Sequence, residues 1–227
     1  MFIIFEVCML ASMCGLIYVF QNDYLTLTII LKTTASIFFV LTGLCGCIKN
    51  KENRRFTRLM LIALLCSMAG DILLALDKNQ GMLFVLGVAG FAAAHVFYSV
   101  SFCRACRVRK KDIIAAAVLF AGCTVLLCVG NFDFQGLFPV LLGYAAVISF
   151  MTVKALSLYS CRKGREKAVW LLMAGGVLFL LSDMVLLFWL FGIGVPKEMQ
   201  SVCWALYYPA QGCMAAALNE KKLPKSA

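Results

Sequence analysis

The sequence is short of charge. Only 14% of its 227 residues are Asp, Glu, Lys or Arg, against about 25% in ordinary soluble domains. It also has a single histidine, which excludes a zinc site built from several imidazoles, the three-histidine intramembrane hydrolases included. No basic segment precedes the first apolar run. Glu6 stands where one belongs, so Met1–Phe20 reads as a retained span and not a signal peptide. Strict polar–apolar alternation is missing from runs such as Leu59–Leu65 and Val177–Leu181, which excludes a closed barrel, the other structure that satisfies its backbone within lipid. What is present is apolar: 63% of residues and a mean hydropathy of +0.93. Disorder, a disulfide-stapled secreted module and a soluble globule are excluded, and a polytopic membrane protein remains.

Crossing a bilayer takes about 20 apolar residues. By that measure the sequence predicts an all-α bundle of eight spans, near 1–20, 25–48, 59–76, 82–103, 113–130, 137–160, 168–194 and 201–218. The loops are too short for a soluble domain, so residues 1–227 read as one integral membrane domain. Basic residues follow every second span: Lys49, Lys51, Arg54, Arg55 and Arg58; Arg104, Arg107, Arg109, Lys110 and Lys111; Arg162, Lys163, Arg165 and Lys167; Lys221, Lys222 and Lys225. The opposite loops hold only Lys78 and Lys197, beside Asp23, Asp77, Asp133 and Glu198. This bias predicts cytoplasmic N- and C-termini, and it accounts for the net charge of +10 better than nucleic-acid binding does. Size and the absence of a targeting segment suggest a bacterial plasma membrane.

Most of the twelve cysteines fall within spans, where Cys acts as a small apolar residue. Cys103-Arg104-Ala105-Cys106 is a lone C-x-x-C, without the second pair that a metal or redox site needs. The informative residues are ionisable groups inside spans, which cost several kcal/mol unless they face a cavity or a partner. These are Lys32, Asp71, His95, Lys154 and Asp183, with Glu6 near an end. Lys154 and Glu6 are expected to snorkel. Lys32 is expected to snorkel or to pair with a carboxylate or phosphate. His95 shares a helix face with Tyr98, and Tyr207 with Gln211. The remaining groups fall at similar depths on several helices, which predicts one polar cavity. Spans three and seven each carry a small residue, Asp and an apolar run, and spans four and eight each carry a following Tyr, a pattern compatible with a duplicated four-helix unit.

Two Asp in one dry cavity cannot both ionise cheaply, which leaves one acid and one carboxylate. That division suits acid-catalysed cleavage of an ether-like bond through an oxocarbenium ion, and by itself it fits a proton-coupled transporter equally well.

The ordered elements Leu31-Lys32-Thr33-Thr34, Gly70-Asp71-Ile72-Leu73-Leu74, Leu86-Gly87 through Ala94-His95-Val96-Phe97-Tyr98, Gly175-Gly176-Val177-Leu178-Phe179 with Ser182-Asp183, and Tyr207-Tyr208-Pro209-Ala210-Gln211 resemble the lysoplasmalogenase-like (YhhN) family over residues 25–218. Thr33 is a departure, since relatives often carry proline there. The resemblance implies a hydrolase that cleaves the vinyl ether of a lysophospholipid substrate, a lysoplasmalogen, into a fatty aldehyde and a glycerophospho-alcohol. It also implies Asp71 and Asp183 as the catalytic pair. The expected supporting residues are Tyr98, Tyr207 and Gln211 for water or glycerol oxygens, His95 behind an Asp, and Lys32 for the phosphate. Deeper burial would favour Asp183 as the acid. The chemistry requires no metal and no organic cofactor. A proton-coupled small-solute transporter and a non-catalytic lipid-binding membrane protein are the alternatives.

Overall fold

In the computed structural model, which describes residues 2–77 and 81–224, the chain forms eight helices: α1 Phe2–Gln21, α2 Leu25–Lys49, α3 Arg54–Leu76, α4 Met82–Ala105, α5 Lys110–Val129, α6 Phe138–Arg162, α7 Lys167–Phe191 and α8 Glu198–Ala217. Among the described residues there is no strand, only one isolated bridge between Phe132 and Gly192. The all-helical bundle predicted from hydropathy is thus observed. The main difference is that α3 begins five residues earlier than expected. Arg54, Arg55 and Arg58 therefore lie on its first turns, because a polar helix end costs nothing where it emerges into water.

Local chemistry fixes the ends. Pro139 sits in the first turn of α6, where its missing N–H is not needed. That helix stops at Lys163, which adopts a left-handed conformation, and Gly164 follows with φ +60°. At the start of α5 the Asp112 carboxylate accepts the Arg109 backbone N–H at 3.0 Å.

Seven of the helices are long and apolar enough to cross a membrane. The eighth, α8, is long enough at 20 residues but more polar, since Gln200, Tyr207, Tyr208 and Gln211 are buried on it. It lies inside the bundle against α1, α2, α3 and α7, so its polar groups meet protein and not lipid. The basic loops gather at one end. There Lys49 Nζ donates to Asn219 O, Asn53 to Pro224 O, and Arg162 to Ala105 O. Lys78 and Lys225 lie outside the described residues.

Packing repeats with a period of four helices. α1 packs on α2 as α5 does on α6, α2 on α3 as α6 on α7, and α3 on α4 as α7 on α8. The halves join reciprocally, α8 against α2 and α4 against α6. Lipid supplies no hydrophobic drive between helices, so close backbone approach carries the association. Gly70, Gly87 and Gly90 provide it between α3 and α4: a Cβ on Gly70 would lie 3.0 Å from Gly87 O, and one on Gly90 would lie 3.2 Å from Cys66 O.

Two expectations fail at the bundle ends. Lys154 does not snorkel. It is fully buried and donates to Asp112 Oδ2 at 3.1 Å and Cys106 O at 3.0 Å. The reason is that α5 starts early enough to turn Asp112 inward. Glu6 also turns inward, onto α8, where a Cβ on Gly212 would fall 2.6 Å from its Oε2. Cys106 is disulfide-bonded to Cys161, and Cys103 is free, so the C-x-x-C does not act as a pair.

Candidate active site

The predicted residues form two clusters around two carboxylates. Asp71 projects from α3 beside the Gly70 crossing. Its Oδ2 accepts the Tyr207 hydroxyl at 2.6 Å and the Ser36 hydroxyl at 2.7 Å, and Lys32 Nζ stands 3.6 Å from Oδ1. The chain of donors continues outward. Gln211 Nε2 donates to Tyr207 Oη at 3.1 Å, and Tyr98 Oη donates to Gln211 Oε1 at 2.9 Å. Every member is buried. Five of the seven predicted residues, Lys32, Asp71, Tyr98, Tyr207 and Gln211, therefore belong to one satisfied network. Satisfaction of this kind is what allows a charge to persist away from water.

Asp183 projects from α7 into the second cluster. Its Oδ2 accepts the Tyr144 hydroxyl at 2.6 Å. His95 Nε2 lies 2.8 Å from that hydroxyl and 3.3 Å from Oδ2, so the three groups close a triangle. Ser182 Oγ is 3.4 Å from Oδ1 but bonds more closely to Phe179 O at 2.9 Å. His95 Nδ1 is buried and has no hydrogen-bond partner among the described residues.

The expected single polar cavity is instead two centres separated by an aromatic wall. The Phe179 ring meets His95 edge-on at 4.7 Å and Tyr207 at 5.4 Å, and it fills the space a shared cavity would need. The centres still adjoin, because that one ring touches a member of each. Burial also runs opposite to expectation: the Asp71 side chain is 3% exposed and that of Asp183 12%. Asp71 is sealed by α8, whereas Asp183 opens on a groove.

That groove runs between α4 and the group α5, α6 and α7. Among the described residues that line it, Asp183 and Tyr144 alone have side chains that carry oxygen or nitrogen. Toward the end of α7 two of its lining rings meet, Phe84 and Phe191, at 6.1 Å. α4 and α5 are consecutive but do not pack closely, so the groove opens sideways between them.

The sequence model of the YhhN family matches residues 27–218. The chain belongs to the YhhN family. No curated protein and no solved structure matches it. In this YhhN-family chain, Tyr144 and Ser36 are the site residues that sequence reasoning passes over. Both are uncharged, and one hydroxyl on an apolar helix carries no signal until the fold shows what it faces. Tyr144 sits on α6 opposite Asp183 much as Lys32 and Ser36 sit on α2 opposite Asp71.

Proposed function

We propose that this YhhN-family protein is a membrane-embedded hydrolase that cleaves the vinyl ether of lysoplasmalogens. One observation carries the reading. The Asp183 carboxyl, held by Tyr144 and His95, is the polar floor of an otherwise apolar groove between α4 and the group α5, α6 and α7. A reacting acid group placed there meets a lipid chain at its polar end.

The chemistry needs one carboxyl used twice. Protonated Asp183 gives its proton to the vinyl β-carbon, and the alkene electrons form an oxocarbenium ion at the α-carbon. The carboxylate left behind faces that cation, while Tyr144 keeps its Oδ2 aimed. Water then attacks the α-carbon and loses its proton to Asp183, which restores the acid. The hemiacetal collapses to the aldehyde and the glycerophospho-alcohol, so one water is consumed. His95 orients Tyr144 and Asp183 together.

Asp71 acts at one remove. Its network fixes Tyr207, which packs on Phe179, one turn before Asp183. Asp71 is therefore a positioning residue in this reading. Lys32 shares its charge with Asp71, inside the network that α8 seals. Sidedness follows the basic loops, with both termini cytoplasmic.

The test is aldehyde release by purified protein from choline and ethanolamine lysoplasmalogens, with the saturated-ether lipid as control. The four-helix repeat favours a second reading, a proton-coupled transporter with the Asp residues as relay. A transporter needs access from both faces, and proton flux in sealed vesicles separates the two.

A further inference from the structure

Two polar side-chain atoms on α4 are buried without a hydrogen-bond partner among the described residues, Nδ1 of His95 and Oγ of Ser99. The residues are four apart, so they stand one turn from each other on the same helix face. Side chains on a helix lean toward its N-terminus, which tilts Ser99 back toward the turn that holds His95. The tautomer of the imidazole follows from its other nitrogen. Tyr144 gives its hydroxyl proton to Asp183, so from His95 its oxygen can only accept. Nε2, 2.8 Å from that oxygen, therefore carries the ring proton, and Nδ1 is left as an acceptor. Ser99 offers a hydroxyl, yet the two atoms do not bond to each other.

The other half of the repeat shows what belongs between them. A shift of four helices carries α8 onto α4. Tyr207 then matches His95 as the group from that helix that holds the carboxylate, and Gln211 matches Ser99, each four residues later. In the Asp71 centre Gln211 spans the turn and donates Nε2 to Tyr207 Oη at 3.1 Å. A serine side chain is too short to span the same turn. We infer that a water molecule binds between His95 Nδ1 and Ser99 Oγ, donating to the ring nitrogen, and that through it Ser99 is a positioning residue for Asp183. A buried water needs at least two polar partners, and these atoms are two. Ser99 also lines the hollow between α4 and α6, with Cys103 one turn further and the exposed Arg104 at the basic end. Water thus has a way to Ser99 that does not pass through the groove. With Nδ1 occupied, the Nε2 proton stays directed at Tyr144 and Asp183. The effect on turnover rests on the hydrolase reading, whereas the water site does not.

The experiment is nitrogen NMR of the full-length protein in nanodiscs with isotope-labelled histidine. The chain has one histidine, so the spectrum holds a single pair of ring-nitrogen signals. The expected result is one tautomer, protonated at Nε2, with magnetisation passing from water protons to Nδ1. Ser99→Ala is expected to abolish that transfer and to admit the second tautomer. Ser99→Gln, which copies the Asp71 centre, is expected to keep the single tautomer while excluding the water. Thermal unfolding reports whether each variant is folded, and the spectrum of the unaltered protein decides if neither is. A ring proton on Nδ1, no transfer from water, or a folded Ser99→Ala with the unaltered spectrum overturns the inference. On the hydrolase reading Ser99→Ala also lowers kcat roughly fivefold with KM unchanged, the fold-change of one lost hydrogen bond, and Ser99→Gln restores it. Water at Nδ1 without vinyl-ether turnover would leave the inference standing and sink the hydrolase reading. Turnover without water at Nδ1 would do the reverse.

Discussion

Tyr144 donates its hydroxyl to Asp183 Oδ2 at 2.6 Å, and His95 Nε2 touches both, 2.8 Å from the hydroxyl and 3.3 Å from the carboxylate. The three come from α6, α7 and α4, so the triangle exists only when those helices are packed. It converts an aspartate inside an apolar bundle into a carboxyl group of fixed orientation. Asp71 is equally well held but has no open face.

Removal of the Tyr144 hydroxyl alone tests whether that orientation matters to the reaction. Tyr144→Phe is expected to lower kcat by roughly 10²-fold, the scale of a lost acid–base positioning contact, with KM little changed. An unchanged kcat in folded Tyr144→Phe would reduce Tyr144 to packing.

Lys32 and Asp71 form a buried pair, and single truncation leaves a charge stranded. Asp71→Asn and Lys32→Met are each expected to cost about 3–5 kcal/mol of stability, with the double variant recovering part of that loss. Thermal unfolding in detergent gives the comparison. Additive losses in the double variant would show that the two groups do not act as a pair.

The Asp112–Lys154 pair at the basic end supplies the contrast. Lys154→Met should destabilise by less, since Asp112 keeps the Arg109 guanidinium at 3.4 Å, the Ser157 hydroxyl and the Arg109 backbone N–H. Turnover per folded molecule should stay near that of the unaltered protein, because no member of that cluster reaches the groove. A turnover defect that exceeds the loss of folded protein would contradict this separation.

The α3–α4 crossing depends on absent side chains. Gly70→Ala places a Cβ 3.0 Å from the Gly87 carbonyl and 2.9 Å from the Phe91 ring, and is expected to cost about 1–3 kcal/mol by overpacking. At Gly122 the added methyl meets nothing within 4 Å, so Gly122→Ala should leave stability nearly unchanged. Equal effects at the two sites would argue against a tight crossing.

The helices were legible from hydropathy because lipid permits only a few solutions. The buried ionisable groups were legible for the same reason, since each is costly without a function or a partner. The sequence could not show which groups share a cluster. Asp71 and Asp183 read as one pair because their depths match, and only the fold reveals the Phe179 ring between the two centres. Lys154 read as a snorkelling residue because its partner, Asp112, looked like a loop residue until α5 was seen to begin at Lys110. Tyr144 carried no charge and stood in no recognised motif.

The most direct test of the hydrolase reading is aldehyde release from a choline lysoplasmalogen and from its saturated-ether analogue, by the unaltered protein, Asp183→Asn and Asp71→Asn side by side. The account predicts turnover of the vinyl ether alone, its abolition in Asp183→Asn, and residual turnover in whatever fraction of Asp71→Asn remains folded. Equal turnover by Asp183→Asn and the unaltered protein, or no aldehyde from any vinyl-ether lipid, would contradict it.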